Sequence, residues 1–218
     1  MHKSINNLVS IQNELKSNTD KNFNSKIIAV SKTFTIEKIQ PLIDHGHIHF
    51  GENKVQEAVD KWKSIKDNSN KIKLHMIGKL QTNKVKYVIP LFDYIHSLDN
   101  EKLAEKIANE QNKTNKFLKI FIQVNIGMED QKNGIEPKNL QNFYNKCVNE
   151  FKLNIIGLMC IPPPPQNNIE SYFGEMQKLN NLFNLKELSM GMSLDYLQAV
   201  KYGSSFLRIG SKIFGQRS

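Results

Sequence analysis

The chain has 218 residues, a length at which an α/β barrel can bury a sizeable core. Hydrophobic residues make up 39% and charged residues 23%, which excludes a disordered chain, and no apolar run approaches the roughly 18 residues that a membrane helix requires. The formal net charge of +9 comes from lysines scattered among asparagines, so it reads as solvated helix faces and not as a nucleic-acid footprint.

At the N-terminus, MHKSINNLVS has no apolar stretch followed by a small-residue cleavage site, which makes the cytoplasm the expected compartment. SKIIAV, residues 25–30, predicts a first strand, and 36–44 the helix that follows. HIHF at 47–50 predicts a second strand, after which the spacing of Val55, Val59 and Trp62 predicts a longer helix. Further strands are expected at 73–77, 92–97, 117–126, 153–159, 185–190 and 206–210, with helices at 80–88, 100–111, 139–149, 170–183 and 194–202. The four prolines 162–165 cannot be helical and predict a rigid loop directly after the sixth strand. Cys147 and Cys160 are far apart, with no CxxC spacing, and read as inert thiols.

Eight strand–helix units in this length predict a single (β/α)8 TIM-like barrel domain over residues 1–218, with an open, doubly wound parallel sheet as the alternative. In a barrel the carboxyl ends of the strands form the active face. Polar residues and glycines gather there in this sequence: Ser31-Lys32, Gly51-Glu52-Asn53, Gly78-Lys79, Ser97 and Asp99, Gln123 and Asn125, residues 189–193 and residues 208–211.

Lys32 directly follows the apolar run IIAV, which would pack its stem and aim its amine into the barrel mouth. A lysine that attacks a carbonyl needs partial burial or a cationic neighbour to lose its proton, and this position can supply both. Taken alone, Lys32 is weak evidence, and the reading to prefer is a side chain that lays its stem on apolar surface and keeps its head in water. The segment SFLRIGSKIFG, 205–215, adds a second signal: a glycine between small residues after the last strand lets backbone N–H groups approach a phosphate at the start of a short helix. Ser193, Gly210 and Ser211 are candidates for that cradle, and a plain tight turn is the alternative. Lysine and cradle together specify a ligand with both a carbonyl and a phosphate. Arg208, between Leu207 and Ile209, faces the opposite side from them and can point inward; a salt bridge to a loop is the other reading. His47 and His49 share a strand face, but no carboxylate or cysteine set completes a metal shell around them, so no metal site is expected.

At these residues the chain resembles the pyridoxal phosphate homeostasis protein family, which is related to the N-terminal barrel of alanine racemase. The matching segments include AVSKT at 29–33, FGENKVQEA at 50–58, HMIGKLQTNK at 75–84, LSMGMSLDYLQAV at 188–200 and GSSFLRIGSKIFG at 203–215. With IHSLD, QVNI and GLMCIPP between them they span nearly the whole chain in order. The resemblance implies pyridoxal 5′-phosphate (PLP) as a Schiff base on Lys32, Asn53 near it, and Met76 and Ile77 lining its ring. It also implies Ser193, Gly210 and Ser211 at the phosphate and Arg208 at the pyridine nitrogen, where an arginine keeps that nitrogen unprotonated and weakens the cofactor as an electron sink. Ser205 and Met76 stand where threonine and phenylalanine are common in the family.

Three functions follow from these residues. The resemblance implies a non-catalytic carrier that buffers PLP or delivers it to apo-enzymes. A PLP-dependent amino-acid racemase is the alternative, although alanine racemase takes its second base, a tyrosine, from a C-terminal β-domain with no counterpart here. A Schiff-base aldolase for sugar phosphates needs the same lysine and cradle without PLP. A monomer is the expected state.

Overall fold

In the computed structural model, residues 2–18, 25–68, 71–129, 133–164 and 168–216 are described. Eight short strands, β1 (Lys26–Val30), β2 (His49–Glu52), β3 (Lys73–Met76), β4 (Tyr94–Leu98), β5 (Lys119–Val124), β6 (Ile155–Cys160), β7 (Glu187–Ser189) and β8 (Phe206–Ile209), pair in parallel in chain order. β8 returns to β1 in register from Lys26↔Phe206 to Ala29↔Ile209. That pairing closes the sheet and decides for the barrel against the doubly wound alternative.

Helices α1 (Lys3–Asn18), α2 (Ile36–Asp44), α3 (Val55–Asn68), α4 (Val85–Leu91), α5 (Glu101–Thr114), α6 (Leu140–Asn145), α7 (Ile169–Leu182), α8 (Tyr196–Lys201) and α9 (Ser211–Phe214) surround it. Period-2 alternation divides each strand between two cores. Outward residues such as Ala29, Phe50, Leu74 and Leu207 pack against the helices, where the buried Trp62 ring lies 4.9 Å from Phe50. Inward residues Ile28, Tyr94, Phe121, Met159 and Phe206 fill the barrel axis. His75 stacks on Tyr94 at 4.2 Å and His96 on Phe121 at 4.3 Å.

Several elements differ from their expected bounds. The second strand begins at His49 because His47 N–H is spent on Leu42 O at the end of α2, after Gly46 with φ +89°. It runs on through Gly51 and Glu52, which pair with His75 and Met76, two residues past the expected end at Phe50. The helix expected from residue 80 starts as a 3₁₀ turn at Thr82–Lys84 before α4, and the one expected over 139–149 ends in a π turn, Lys146–Glu150. The proline stretch is irregular through residue 164, and Pro165 lies outside the described residues.

Helix α1 has no counterpart among the elements expected from the sequence. It buries Leu8, Ile11 and Leu15 on one face and packs against α2 and α9. Because α9 has only four residues, α1 supplies the wall that a longer helix after β8 would have formed. Among the described residues, no helix is long and apolar enough to cross a membrane.

Candidate functional site

The turn after β1 carries Lys32 between two anchored neighbours. Ser31 is fully buried; its N–H donates to Gly51 O at 3.0 Å and its hydroxyl to Glu52 Oε1 at 2.7 Å. Glu52, buried at the end of β2, also accepts from Trp62 Nε1 and from Lys61 Nζ, each at 2.9 Å. Lys61 extends the assembly, donating to Ser31 O at 2.9 Å and to Glu57 Oε1 at 3.0 Å. On the other side of Lys32, Thr33 sits at φ +68°, a strained conformation for a β-branched residue, and its N–H donates to Glu57 Oε1 at 2.5 Å. Residues of β2 and α3 therefore hold the lysine turn from behind and leave its side chain directed to the barrel mouth.

That side chain lines a cavity of about 660 Å³ at the carboxyl ends of the strands. Asn53, Ile77, Ser193, Arg208, Gly210 and Ser211 line it too, as do Val30, Phe34, Gln123 and Leu194. Asn53 Oδ1 is buried with no hydrogen-bond partner among the described residues. Gly78 sets the position of Asn53, for a Cβ at residue 78 would stand 2.4 Å from Asn53 O and 2.6 Å from its Cα. Gly78→Ala is therefore expected to destabilise the fold by about 1–3 kcal/mol, read as a lower urea midpoint at unchanged slope; an unchanged midpoint would show that the two loops can part freely.

At the far wall, a Cβ on Gly210 would meet Val30 Cβ at 3.3 Å and Val30 O at 3.4 Å, so glycine lets the start of α9 close on β1. Ser193 Oγ accepts from Lys212 N at 3.4 Å. The Lys212 side chain turns away, donating to Glu14 Oε2 at 2.8 Å and to Tyr196 OH at 2.7 Å, and Asn7 Nδ2 donates to Ile213 O at 2.9 Å. Helix α1 thus ties down the short helix beside the cavity.

Arg208 points inward and is buried. Nη1 donates to Ser189 O at 2.6 Å and Ser189 Oγ at 2.7 Å, and Nη2 to Cys160 O at 2.8 Å. These bonds use three of its five N–H donors. A salt bridge to a loop, the other reading of this arginine, is not formed among the described residues. Burial pushes the Cys160 thiol up to about 12, so it remains protonated beneath the arginine.

The structure therefore brings together Lys32, Asn53, Ile77, Ser193, Arg208, Gly210 and Ser211. It does not bring Met76 to them. Neighbours along a strand face opposite ways, and Met76 is fully buried in the outer core between sheet and helices, so the expectation that it lines a ring with Ile77 is corrected. Ser205 is likewise structural, its hydroxyl accepting from Leu188 N at 2.9 Å. Phe34 was not read from the sequence as a site residue; it reaches the cavity from the turn after β1, with its ring 4.9 Å from Phe214. Val30 was legible through alternation, two residues before Lys32 on the same face.

The sequence model of the alanine racemase N-terminal domain matches residues 6–218. Among curated proteins, the chain is 37% identical over 201 residues to the pyridoxal phosphate homeostasis protein of Aquifex aeolicus, covering 88% of this chain and 87% of that one. It is 39% identical over 204 residues to the protein of the same name from Haemophilus influenzae, covering 88% and 85%. Among solved structures, PipY of Synechococcus elongatus with PLP bound superposes with a TM-score of 0.85 at 29% identity, over 97% of this chain and all of that one. Alanine racemase of Clostridium difficile shares the fold at 13% identity and a TM-score of 0.73, and the chain spans 57% of its length. A match to the family model over nearly the whole chain, joined to relatives above one-third identity, places this protein in the pyridoxal phosphate homeostasis protein family, within the alanine racemase N-terminal domain group.

Proposed function

We propose that the protein binds PLP in the cavity at the carboxyl ends of its strands, holds it reversibly as a Schiff base on Lys32, and buffers it or delivers it to apo-enzymes without substantial catalysis. The observation that carries this reading is one cavity lined by a lysine and, on its other wall, by an arginine with unused N–H donors and a serine–glycine cradle. The residues suit the group: Arg208 can donate to a pyridine nitrogen, Asn53 Oδ1 can accept from a ring hydroxyl, and Ser193, Gly210 and Ser211 surround the place for a phosphate. PLP supplies an aldehyde that condenses reversibly with an amine. The chain's own part is to anchor the turn of Lys32, keep a positive charge opposite it, and close the cradle through the α1–α9 contacts.

The make-up of the cavity lining supports a carrier over a racemase, since apart from Lys32 and Lys79 it offers no side chain that readily takes or gives a proton. Among the described residues, the cavity lining contains no His, Tyr, Cys, Asp or Glu, whereas racemisation requires a base on each face of the substrate carbon. Purified protein mixed with PLP is expected to develop a visible absorption band and, after borohydride, a reduced adduct on the peptide containing Lys32. Lys32→Ala should lose both while retaining weak binding through the cradle. A reducible adduct in that variant would place the linkage on another lysine, such as Lys79 or Lys84. No band in the unaltered protein at saturating PLP would leave the aldolase reading standing instead. Racemisation of a common amino acid at on the order of 1 per second or faster would refute the carrier.

A further inference from the structure

Beneath the cavity, a column of buried side chains runs down the barrel axis from Arg208. Ser189 Oγ, which accepts from Arg208 Nη1, lies 2.8 Å from His96 Nδ1. His96 Nε2 lies 2.9 Å from His75 Nδ1, and His75 Nε2 lies 2.9 Å from His49 Nδ1. Ser189, His96 and His75 are fully buried, and the half-buried His49 stands at the amino-terminal end of the barrel.

The direction of every bond in this column follows from its upper end. Arginine only donates, so Ser189 Oγ accepts from it; His96 Nδ1 is the other partner of that oxygen among the described residues, and donation to it is what satisfies the hydroxyl proton, because accepting there as well would leave that proton buried without an acceptor. His96 then carries its proton on Nε2 and donates to His75 Nδ1. By the same step His75 carries its proton on Nε2, and so does His49. Each imidazole presents its lone pair toward Arg208 and its N–H away from it. Burial lowers the pKa of all three, with His49 brought to about 4, so the rings are neutral near pH 7.

We propose that Ser189, His96, His75 and His49 are positioning residues that hold Arg208 as a buried cation through aligned neutral dipoles, leaving its charge directed at the cavity. The use of that charge, toward the pyridine nitrogen, rests on the PLP reading above. A carboxylate against the guanidinium would satisfy it but cancel its charge; among the described residues none forms a contact ion pair with Arg208, and the buried Asp195 acts on it electrostatically without one. Hydrogen-bonded groups in a low-dielectric interior polarise one another, so three rings in series stabilise the cation more than Ser189 alone. The column is not a proton conduit, because its upper end is a guanidinium that does not release a proton.

Two measurements test this on the full-length protein. Imidazole ¹⁵N NMR of PLP-free protein should show Nε2–H tautomers for His96, His75 and His49, and in Arg208→Met that uniform order should break. PLP affinity, titrated by absorbance, should fall roughly ten- to a hundredfold in Ser189→Ala and His96→Leu, the range for a hydrogen bond to a charged group. His96→Asn, whose side-chain oxygen can replace Nδ1 as acceptor, should retain most of the affinity. In the Arg208→Met background, Ser189→Ala should change affinity less than twofold. An Nδ1–H tautomer on His96, or equal losses with and without Arg208, would overturn the column. A protein with the expected tautomers that takes up no PLP would instead overturn the cofactor reading, and the use of Arg208 with it.

Discussion

Replacing Glu52 with alanine is expected to destabilise the protein by about 3–5 kcal/mol, the range for removing one partner of a buried ion pair. Glu52 is fully buried, and one of its oxygens accepts from Ser31 Oγ, Lys61 Nζ and Trp62 Nε1. Its removal leaves the ammonium of Lys61, 8% exposed, without its most buried counter-charge and strands the donors of Ser31 and Trp62. The pair Glu52→Leu with Lys61→Met should recover much of the loss, because two uncharged side chains avoid the desolvation of an unpaired charge. Urea unfolding of the single and double variants measures both effects. A loss below about 1 kcal/mol for Glu52→Ala would mean that the assembly behaves as an exposed ion pair. Since Ser31 and Thr33 are both held by this group of residues, the single variant should also lower the yield of PLP adduct on Lys32.

Acid should unfold the protein at a higher pH than carboxylate protonation requires. Burial lowers the pKa of His47 and His49 from 6.5 to about 4 and that of His75 and His96 well below 6.5. The folded form thus resists protons that the unfolded chain takes up. Stability is complete above about pH 6.5 and falls as pH drops toward 4, by about 1.4 kcal/mol per pH unit for each histidine. His47 and His49 by themselves amount to about 4 kcal/mol at about pH 5, a sizeable part of the whole stability of a typical domain, and His75 and His96 act in the same direction. Glu14 and Glu57, whose folded pKa values are lowered, act in a separate window, their stabilisation being lost as pH falls through the carboxylate range. Thermal melts from pH 7.5 to 5 should show Tm falling steeply, and His49→Gln should make the slope shallower. A flat Tm over that interval would show that the histidines are protonated in the fold.

The alternation of apolar runs with lysine-rich amphipathic stretches carried the architecture, because a strand repeats every two residues and a helix every 3.6. Lys32, Asn53, Arg208 and Gly210 were legible for a related reason: each stands late in or just after a strand, and a barrel collects those ends on one face. The same periodicity separates Ile77 from Met76. A motif match names both, but only the pleat shows that one enters the cavity and the other joins the outer core.

The histidines mark where local reading ends. His49, His75 and His96 are 26 and 21 residues apart, and Ser189 lies another 93 along the chain, so no spacing in the sequence announces that they touch. In the sequence, HGHIH resembles a metal-binding stretch; in the barrel, His47 donates to His49 O while His49 joins the axis column. Glu52 reads as one of the polar residues gathered at the strand ends and proves to be a buried anchor behind the lysine turn, because Lys61 and Trp62 arrive from α3 to satisfy it. Chain-local periodicity sets strands, helices and the face on which functional groups gather. Partners for those groups come from barrel closure, which brings β2, β3, β4, β7 and β8 around one axis and assigns each inward side chain a neighbour from another strand.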